Sequence, residues 1–314
     1  MSRRRKGDAL SGWVCFDKPY NMTSTTAVAI VRRRFNAQKA GHAGTLDPLA
    51  TGILPIALGE ATKTVPYLMD ATKVYRVVIA WGESTTTLDR EGDVTERSDH
   101  RPSIEQIEAR LPDFLGTTLQ VPPDFSAIRV EGERAYDLAR QGAEFELKAR
   151  PVRIDRLEVI GSPGPDQVEL EMQCGKGTYV RSVVRDLARA LGTCGHVAGL
   201  RRTRVGQFDE GRAIGLEKLE NLGHTPALLE ALLPVETALD DIPELAVTAE
   251  DAFRLKQGRA IVLVPRQAET LMSRVDPVTG LVSASLGGTV VALCKMVMGQ
   301  LNPVRVFHMN PSGD

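Results

Sequence analysis

Cysteine is scarce and poorly placed for chemistry: Cys15, Cys174, Cys194 and Cys294 lie far apart, and none belongs to a C-x-x-C pair. That pattern excludes a dense disulfide framework and a zinc ribbon, and leaves reduced structural thiols as the expectation. Only five histidines are present and no two stand at ligand spacing, which speaks against a metal hydrolase. No apolar run approaches membrane-spanning length. The basic start at Arg3, Arg4, Arg5 and Lys6 is not followed by an apolar signal core before Asp17. Neither secretion nor membrane insertion is therefore expected, and the cytoplasm is the expected location. Lys63-Thr64 lacks the glycine that a P-loop needs before its lysine, and no G-x-G-x-x-G follows a strand, so a nucleotide-dependent enzyme has no support. Internal repeats and low-complexity tracts are absent as well. Charge of either sign is not in excess, since 39 basic against 40 acidic residues give a net charge of −1. A nucleic-acid site would have to come from local clustering of cations.

What the chain does have is enough apolar material for a core, at 42% hydrophobic and 25% charged residues, spread over 314 positions. Such a length favours a large domain with a smaller one attached. Residues 1–10 read as a basic disordered tail, either a solvated end or an RNA arm. Thr23, Ser24 and Thr25 offer N-caps to a helix whose apolar face is Ala27, Val28, Ile30, Val31 and Phe35, with Asn36 as its stop. Period-two alternation predicts a strand over 75–81 closed by Gly82, and another over 167–173 running into the Gly175-Lys176-Gly177 turn. Ser103-x-x-Gln106 is a capping-box pattern, and a further helix is expected over 133–141 with Gly142 at its end. Val180, Val183, Val184, Leu187 and Leu191 have helical spacing, which puts Tyr179 and Arg181 where a turn passes into a helix. Arg181, Arg185 and Arg189 recur every four residues there, predicting a basic face. The acidic stretch 209–241 reads as a helical connection. Beyond a boundary near Ile242, a short helix from Thr248 and strands over 260–264, 281–286, 289–295 and 304–308 are expected, with Gly287-Gly288 as a hairpin turn.

The segment 41–55 combines glycine and proline with apolar flanks and contains Asp47 directly before Pro48. Proline disfavours helical backbone at the preceding residue, so the carboxylate is presented from a constrained turn among small neighbours. By composition alone, Asp47-Pro48 could equally initiate an ordinary turn against which His42 packs.

The longer run GHAGTLDPLATGILPIALGEATK, residues 41–63, resembles the signature motif of the TruB-type pseudouridine synthases. Asp17-Lys18-Pro19 with Met22-Thr23-Ser24 resembles the family's opening motif. Further matches follow in family order: Lys73-x-Tyr75; Pro122-Pro123-x-Phe125-Ser126-Ala127; Arg134-Ala135-Tyr136 with Ala139-Arg140-x-Gly142; Lys176-Gly177-Thr178-Tyr179-Val180-Arg181-Ser182; and Gly195-His196-Val197 with Leu200-Arg201-Arg202. Together they span residues 12–205, which is specific in a way that a lone motif is not. One departure stands out: the family usually reads Lys-Pro-x-Gly, and here the run is Lys18-Pro19-Tyr20-Asn21. Asparagine also tolerates positive φ, so the turn can survive.

The resemblance implies an α+β fold: a catalytic domain of the pseudouridine synthase type over 11–241, built on a mixed, mostly antiparallel sheet, with an inserted RNA-clamping loop at about 122–150. A small β-rich PUA-like RNA-binding module would follow over 242–314. The implied reaction converts uridine 55 in the T loop of tRNA to pseudouridine. Asp47 would attack the flipped-out uridine as an ionised nucleophile, and Arg181 would stand beside it. Tyr75 would stack on the base and serve in proton transfer, unless it is simply a strand aromatic facing the core. Tyr179 and Leu200 match pocket residues, although Leu200 could be ordinary core, and His42 matches the residue near the flipped nucleotide. Lys18, Lys63, Arg201 and Arg202 are candidates for phosphate contacts, or surface charges. No cofactor is implied, because the isomerisation is redox-neutral, and no metal. The implied partner is the T stem-loop of tRNA, bound by a monomer without a guide RNA or a membrane. A non-catalytic RNA-binding or tRNA-folding protein is the reading from another class; Asp47, Tyr75 and Arg181 occurring together argue against it.

Overall fold

The computed structural model describes residues 7–130, 132–223 and 225–309. Arg3, Arg4, Arg5 and Lys6 of the expected tail lie outside the described residues. Asp8 is tied back to the chain: its N–H donates to the Asn36 carbonyl at 2.6 Å and its own carbonyl accepts from Gln38 N–H at 3.2 Å.

A ten-stranded mixed sheet forms the frame of the larger part. Across it run Ile214–Gly215, Gly12–Lys18, Thr51–Leu58, Gly195–Val205, Lys73–Trp81, Gln167–Cys174, Arg150–Gly161 and Gly116–Gln120. Ala40–His42 and Phe208–Asp209 pair with it outside this order. Neighbours are antiparallel except where Gly12–Lys18 meets Ile214–Gly215 and where Thr51–Leu58 meets Gly195–Val205. The second exception positions the site. Thr51–Leu58 and Gly195–Val205 pair only at Thr51 with Arg201 and Gly52 with Arg202. The two halves of the sheet therefore join over two residues and diverge beyond them. Gly52 is required at this junction: its φ is +101°, and a Cβ there would lie 2.2 Å from the Arg202 carbonyl oxygen.

Each half has its own apolar core. One gathers Val77, Ile79, Trp81, Leu170, Met172, Val184 and Leu187; the other gathers Val14, Phe16, Val31, Phe35, Leu54 and Ile56. Side chains of this kind contribute roughly 1.5–3 kcal/mol each when fully buried. Tyr75 and Leu200 pack against both cores, which places them at the seam.

Local signals act as their chemistry dictates. Ser24–Arg34 is a helix capped by Thr23, whose hydroxyl accepts from Thr26 N–H, and the Ser103 capping box forms with both of its bonds. Gln167–Cys174 alternates buried and half-buried residues along its whole length. In the C-terminal part, Leu281–Leu286, Thr289–Val297 and Gln300–Val306 form a meander within a five-stranded sheet, and Gly287 and Gly288 both have positive φ in the hairpin turn. Two expectations shift. The last strand is Gln300–Val306 instead of 304–308, and a helix, Pro265–Met272, follows Ile261–Val262. Proline occupies the first turn of that helix, where its missing N–H costs nothing.

The C-terminal sheet is seated on the larger part. Val290, Leu293 and Phe307 share a cluster with Trp13, Phe208 and Val235. Polar contacts close the rim: Lys63 donates to Glu60 at 2.6 Å and to the Val306 carbonyl at 2.8 Å, while His308 N–H donates to Glu60 at 2.7 Å. All four cysteines are free and buried, and burial pushes the thiols of Cys15 and Cys294 up to about 12. No helix is long and apolar enough to cross a membrane among the described residues.

Candidate active site

The turn carrying Asp47 is pinned from both sides through its backbone. Before it, the Ser24 hydroxyl accepts from Leu46 N–H and donates to the Leu46 carbonyl, both at 2.9 Å. After it, the Lys18 ammonium donates to the Pro48 carbonyl at 3.2 Å. The same ammonium donates to the carbonyls of Pro19 at 3.0 Å and Met22 at 2.8 Å, so its three hydrogens are all engaged. Further along, Arg202 donates to the carbonyls of Gly44 at 3.0 Å and Ile53 at 2.8 Å. Such bonds restrict the carboxylate's position without touching the carboxylate itself.

Asp47 meets Arg181 at 2.9 Å; its side chain is 43% exposed, that of Arg181 only 8%. Arg181 leaves the first turn of the helix Val180–Ala190 and is held on three further sides. It donates to the Thr87 carbonyl at 2.9 Å and the Phe125 carbonyl at 3.0 Å, and lies 3.9 Å from the Asp89 carboxylate. Asp89 is itself buried and fixed by the Thr87 hydroxyl at 2.5 Å and Glu91 N–H at 3.1 Å. A guanidinium immobilised in this way holds its place beside Asp47 before any ligand arrives.

Asp47, Arg181 and Leu200 line one cleft of about 340 Å³ together with Asp89, Tyr20, Ala50, Val197 and the cations Arg76 and Arg90. That volume lies in the range of small-ligand sites. Tyr75 stands at the seam beneath, half-buried. Burial pushes its phenol up from its ordinary value, the Arg202 guanidinium opposing, so it is protonated across the neutral range. Burial and then Arg202 push His42 down, leaving a neutral imidazole whose Nδ1 has no partner among the described residues. Tyr179 lies further out: its backbone exchanges two hydrogen bonds with the Gln120 side chain, and Arg150 sits 5.1 Å over its ring. His42, Tyr75 and Tyr179 are not among the residues lining the cleft.

Of the four expected phosphate cations, Arg201 lines this cleft with its side chain 35% exposed, and Lys18, Lys63 and Arg202 are not among the lining residues. Lys18 is 0% and Arg202 1% exposed. Both are bound to carbonyls; Lys18, expected on the substrate, donates to the backbone of Pro19, Met22 and Pro48. Burial pushes Lys18 down to about 8, with Asp47 opposing. Lys63 joins the two parts of the chain, and Arg201 is forked onto Asp17 at 3.0 and 2.9 Å and reaches Glu210 at 2.6 Å. Of the basic face expected on Val180–Ala190, Arg181 is buried and Arg185 binds Asp186 and the Val121 carbonyl, which leaves Arg189 exposed. Besides Arg201, the cleft has two exposed cations, Arg90 and Arg76, the latter paired with Glu171 at 3.5 Å. Sequence reasoning missed these two together with Asp89; the period-two pattern puts Arg76 on the polar face of its strand, and that was the available signal.

Arg202→Met is expected to lower stability by about 2–5 kcal/mol, because two buried carbonyls lose their donor. Urea unfolding measures this, and a loss below about 1 kcal/mol would mean that the turn does not depend on the guanidinium.

Comparison with known proteins identifies the family. Residues 32–180 match the family model described as TruB family pseudouridylate synthase (N terminal domain), and 181–240 match the tRNA pseudouridylate synthase B C-terminal domain. A protein of Caulobacter vibrioides named tRNA pseudouridine synthase B is 70% identical, covering 98% of this chain and 100% of the relative. One of the same name from Bradyrhizobium diazoefficiens is 52% identical over 98% of this chain and 88% of its own. A crystal structure of a Cbf5-Nop10-Gar1 complex contains a chain of the same fold, with a TM-score of 0.68 and 26% identity over 95% of this chain and 84% of that one. By length of match and degree of identity, the chain belongs to the TruB family of pseudouridylate synthases.

Proposed function

We propose that this chain is a tRNA pseudouridine synthase that isomerises uridine 55 in the T loop, with Asp47 as its nucleophile. The observation that carries the reading is the half-exposed Asp47 carboxylate held 2.9 Å from a buried arginine at the mouth of a cleft. Full-length relatives named tRNA pseudouridine synthase B support tRNA as the substrate class. A base inside a stem-loop must leave the stack before chemistry reaches it, and the cleft between the sheet halves receives it. Asp47 adds to the flipped uridine, the glycosidic C–N bond breaks, the uracil turns, and C5 bonds to the ribose carbon as the bond to Asp47 breaks and the carboxylate is freed. C5 then loses its proton and N1 takes one up, with the neutral Tyr75 hydroxyl at the seam as a relay that accepts the C5 proton only as it passes its own on. Arg181 holds the carboxylate in line throughout. Nothing is oxidised or reduced. The residues 242–314 act as an RNA-binding module seated beside the catalytic part, and no guide RNA is required.

Tritium release from an unmodified tRNA transcript carrying 5-tritiated uridine tests the proposal, because the C5–H bond is the one replaced. Release is expected from the wild-type protein and is expected to vanish when the T-loop target is changed to cytidine. A folded protein that binds the transcript and releases no tritium would leave only an RNA-binding role.

A further inference from the structure

We propose that Tyr20 is a stacking platform for a nucleobase next to the flipped uridine, held at a fixed offset from Asp47 by the Lys18 ammonium. The inference rests on the RNA substrate proposed above. Tyr20 is 55% exposed and lines the same cleft as Asp47. It belongs to none of the apolar clusters, and its hydroxyl makes no hydrogen bond among the described residues. The other strongly exposed aromatics are placed differently: Tyr136 is covered by the Arg140 guanidinium at 4.5 Å, and Phe253 is in the C-terminal part. A tyrosine ring left in water at the mouth of a cleft has no packing role to explain it.

Its rigidity is the second observation. Lys18 donates to the carbonyls of Pro19 and Met22, which bracket Tyr20-Asn21, and Asn21 closes the turn at φ 60°. The third Lys18 bond goes to Pro48, the residue after Asp47. One buried ammonium thus fixes both the turn presenting the ring and the turn presenting the carboxylate. Moving one relative to the other means breaking charge-assisted bonds. Leu49, Ala50 and Val197 line the same cleft, with Arg90 exposed in it and Arg76 exposed and paired with Glu171 at 3.5 Å; Asp89 and Glu169 line it as well. An aromatic face, an apolar wall and nearby cations are what an unstacked RNA base and its phosphates require. Because the target base must reach Asp47, the ring at the rim meets a flanking base.

The test uses the full chain, a T stem-loop RNA, filter binding and single-turnover rates. Tyr20→Ala is expected to weaken RNA affinity about 5- to 100-fold, the loss of one base–aromatic stack, with a smaller fall in the rate at saturating RNA. Tyr20→Phe keeps wild-type affinity, because stacking does not need the hydroxyl. RNAs made abasic at single positions flanking the target supply the readout that a structural role would not move. One of them is expected to weaken binding to wild type and Tyr20→Phe and to leave Tyr20→Ala unaffected. Tyr20→Ala binding as wild type does, or abasic losses equal in wild type and Tyr20→Ala at every position, would overturn the assignment alone. A wild-type protein that forms no pseudouridine would overturn the proposed function and this inference with it.

Discussion

Asp47→Asn is expected to lower the single-turnover rate of isomerisation by about four orders of magnitude or more, while RNA affinity stays that of the wild type. The amide has the size and shape of the carboxylate. The contacts that fix the turn go to the backbone of Leu46 and Pro48 and survive the change. Arg181 keeps an oxygen to bind, so neither the fold nor the cleft is expected to collapse. Only the negative, nucleophilic oxygen is lost. Asparagine often reverts to aspartate through attack by the next residue's N–H, but Pro48 has none, so residual activity cannot be ascribed to reversion. Tritium release and filter binding on the same preparation separate the two effects. Full turnover by Asp47→Asn would remove Asp47 from the role of nucleophile; loss of both rate and binding would point to a damaged fold.

The fold was legible wherever local chemistry decides it. Thr23 and Ser103 cap helices because their side chains bond to N–H groups three residues ahead, and Gly287-Gly288 turns a hairpin because both positions take positive φ. The strand Gln167–Cys174 was visible because one face is buried and the other is not. The helix Pro265–Met272 was not foreseen, although Pro265 in its first turn is a helix-start signal. Charges were the least legible feature. Lys18 and Arg202 were candidates for phosphates or surface charges, yet besides the nearby carbonyls of Pro19 and Met22 their partners are carbonyls from Pro48, Gly44 and Ile53, 30 to 158 positions away. Nothing local distinguishes a buried strut from a surface cation. The same limit hid Asp89, whose meeting with Arg181 depends on a loop packing against Val197. Resemblance brought Asp47 and Arg181 to attention, and the distance between them is a tertiary fact.

Arg181→Lys is the sharper test of that tertiary fact, because it preserves the charge and removes the shape. One guanidinium serves Asp47, the Thr87 carbonyl and the Phe125 carbonyl at 2.9 to 3.0 Å, with Asp89 at 3.9 Å. An ammonium is a single point on a flexible stem and cannot reproduce those planar directions at once. If lysine follows Asp47, the carbonyls of Thr87 and Phe125 lose their donor. If it stays with the carbonyls, Asp47 is no longer aligned. Either way the single-turnover rate is expected to fall about 10²- to 10³-fold, the usual cost of losing one preorganised donor. Phe125 lies at the base of the inserted segment, which Ser182 and Arg185 also grip through the Val121 carbonyl. Arg181→Lys is therefore expected to speed amide hydrogen exchange over residues 121–130 while the sheet exchanges as before. A near-wild-type rate would place Arg181 outside the reacting geometry. A rate loss with unchanged exchange would mean that Arg181 serves Asp47 alone. Loss of rate together with faster exchange would establish that one buried cation couples the position of the inserted segment to the alignment of the nucleophile.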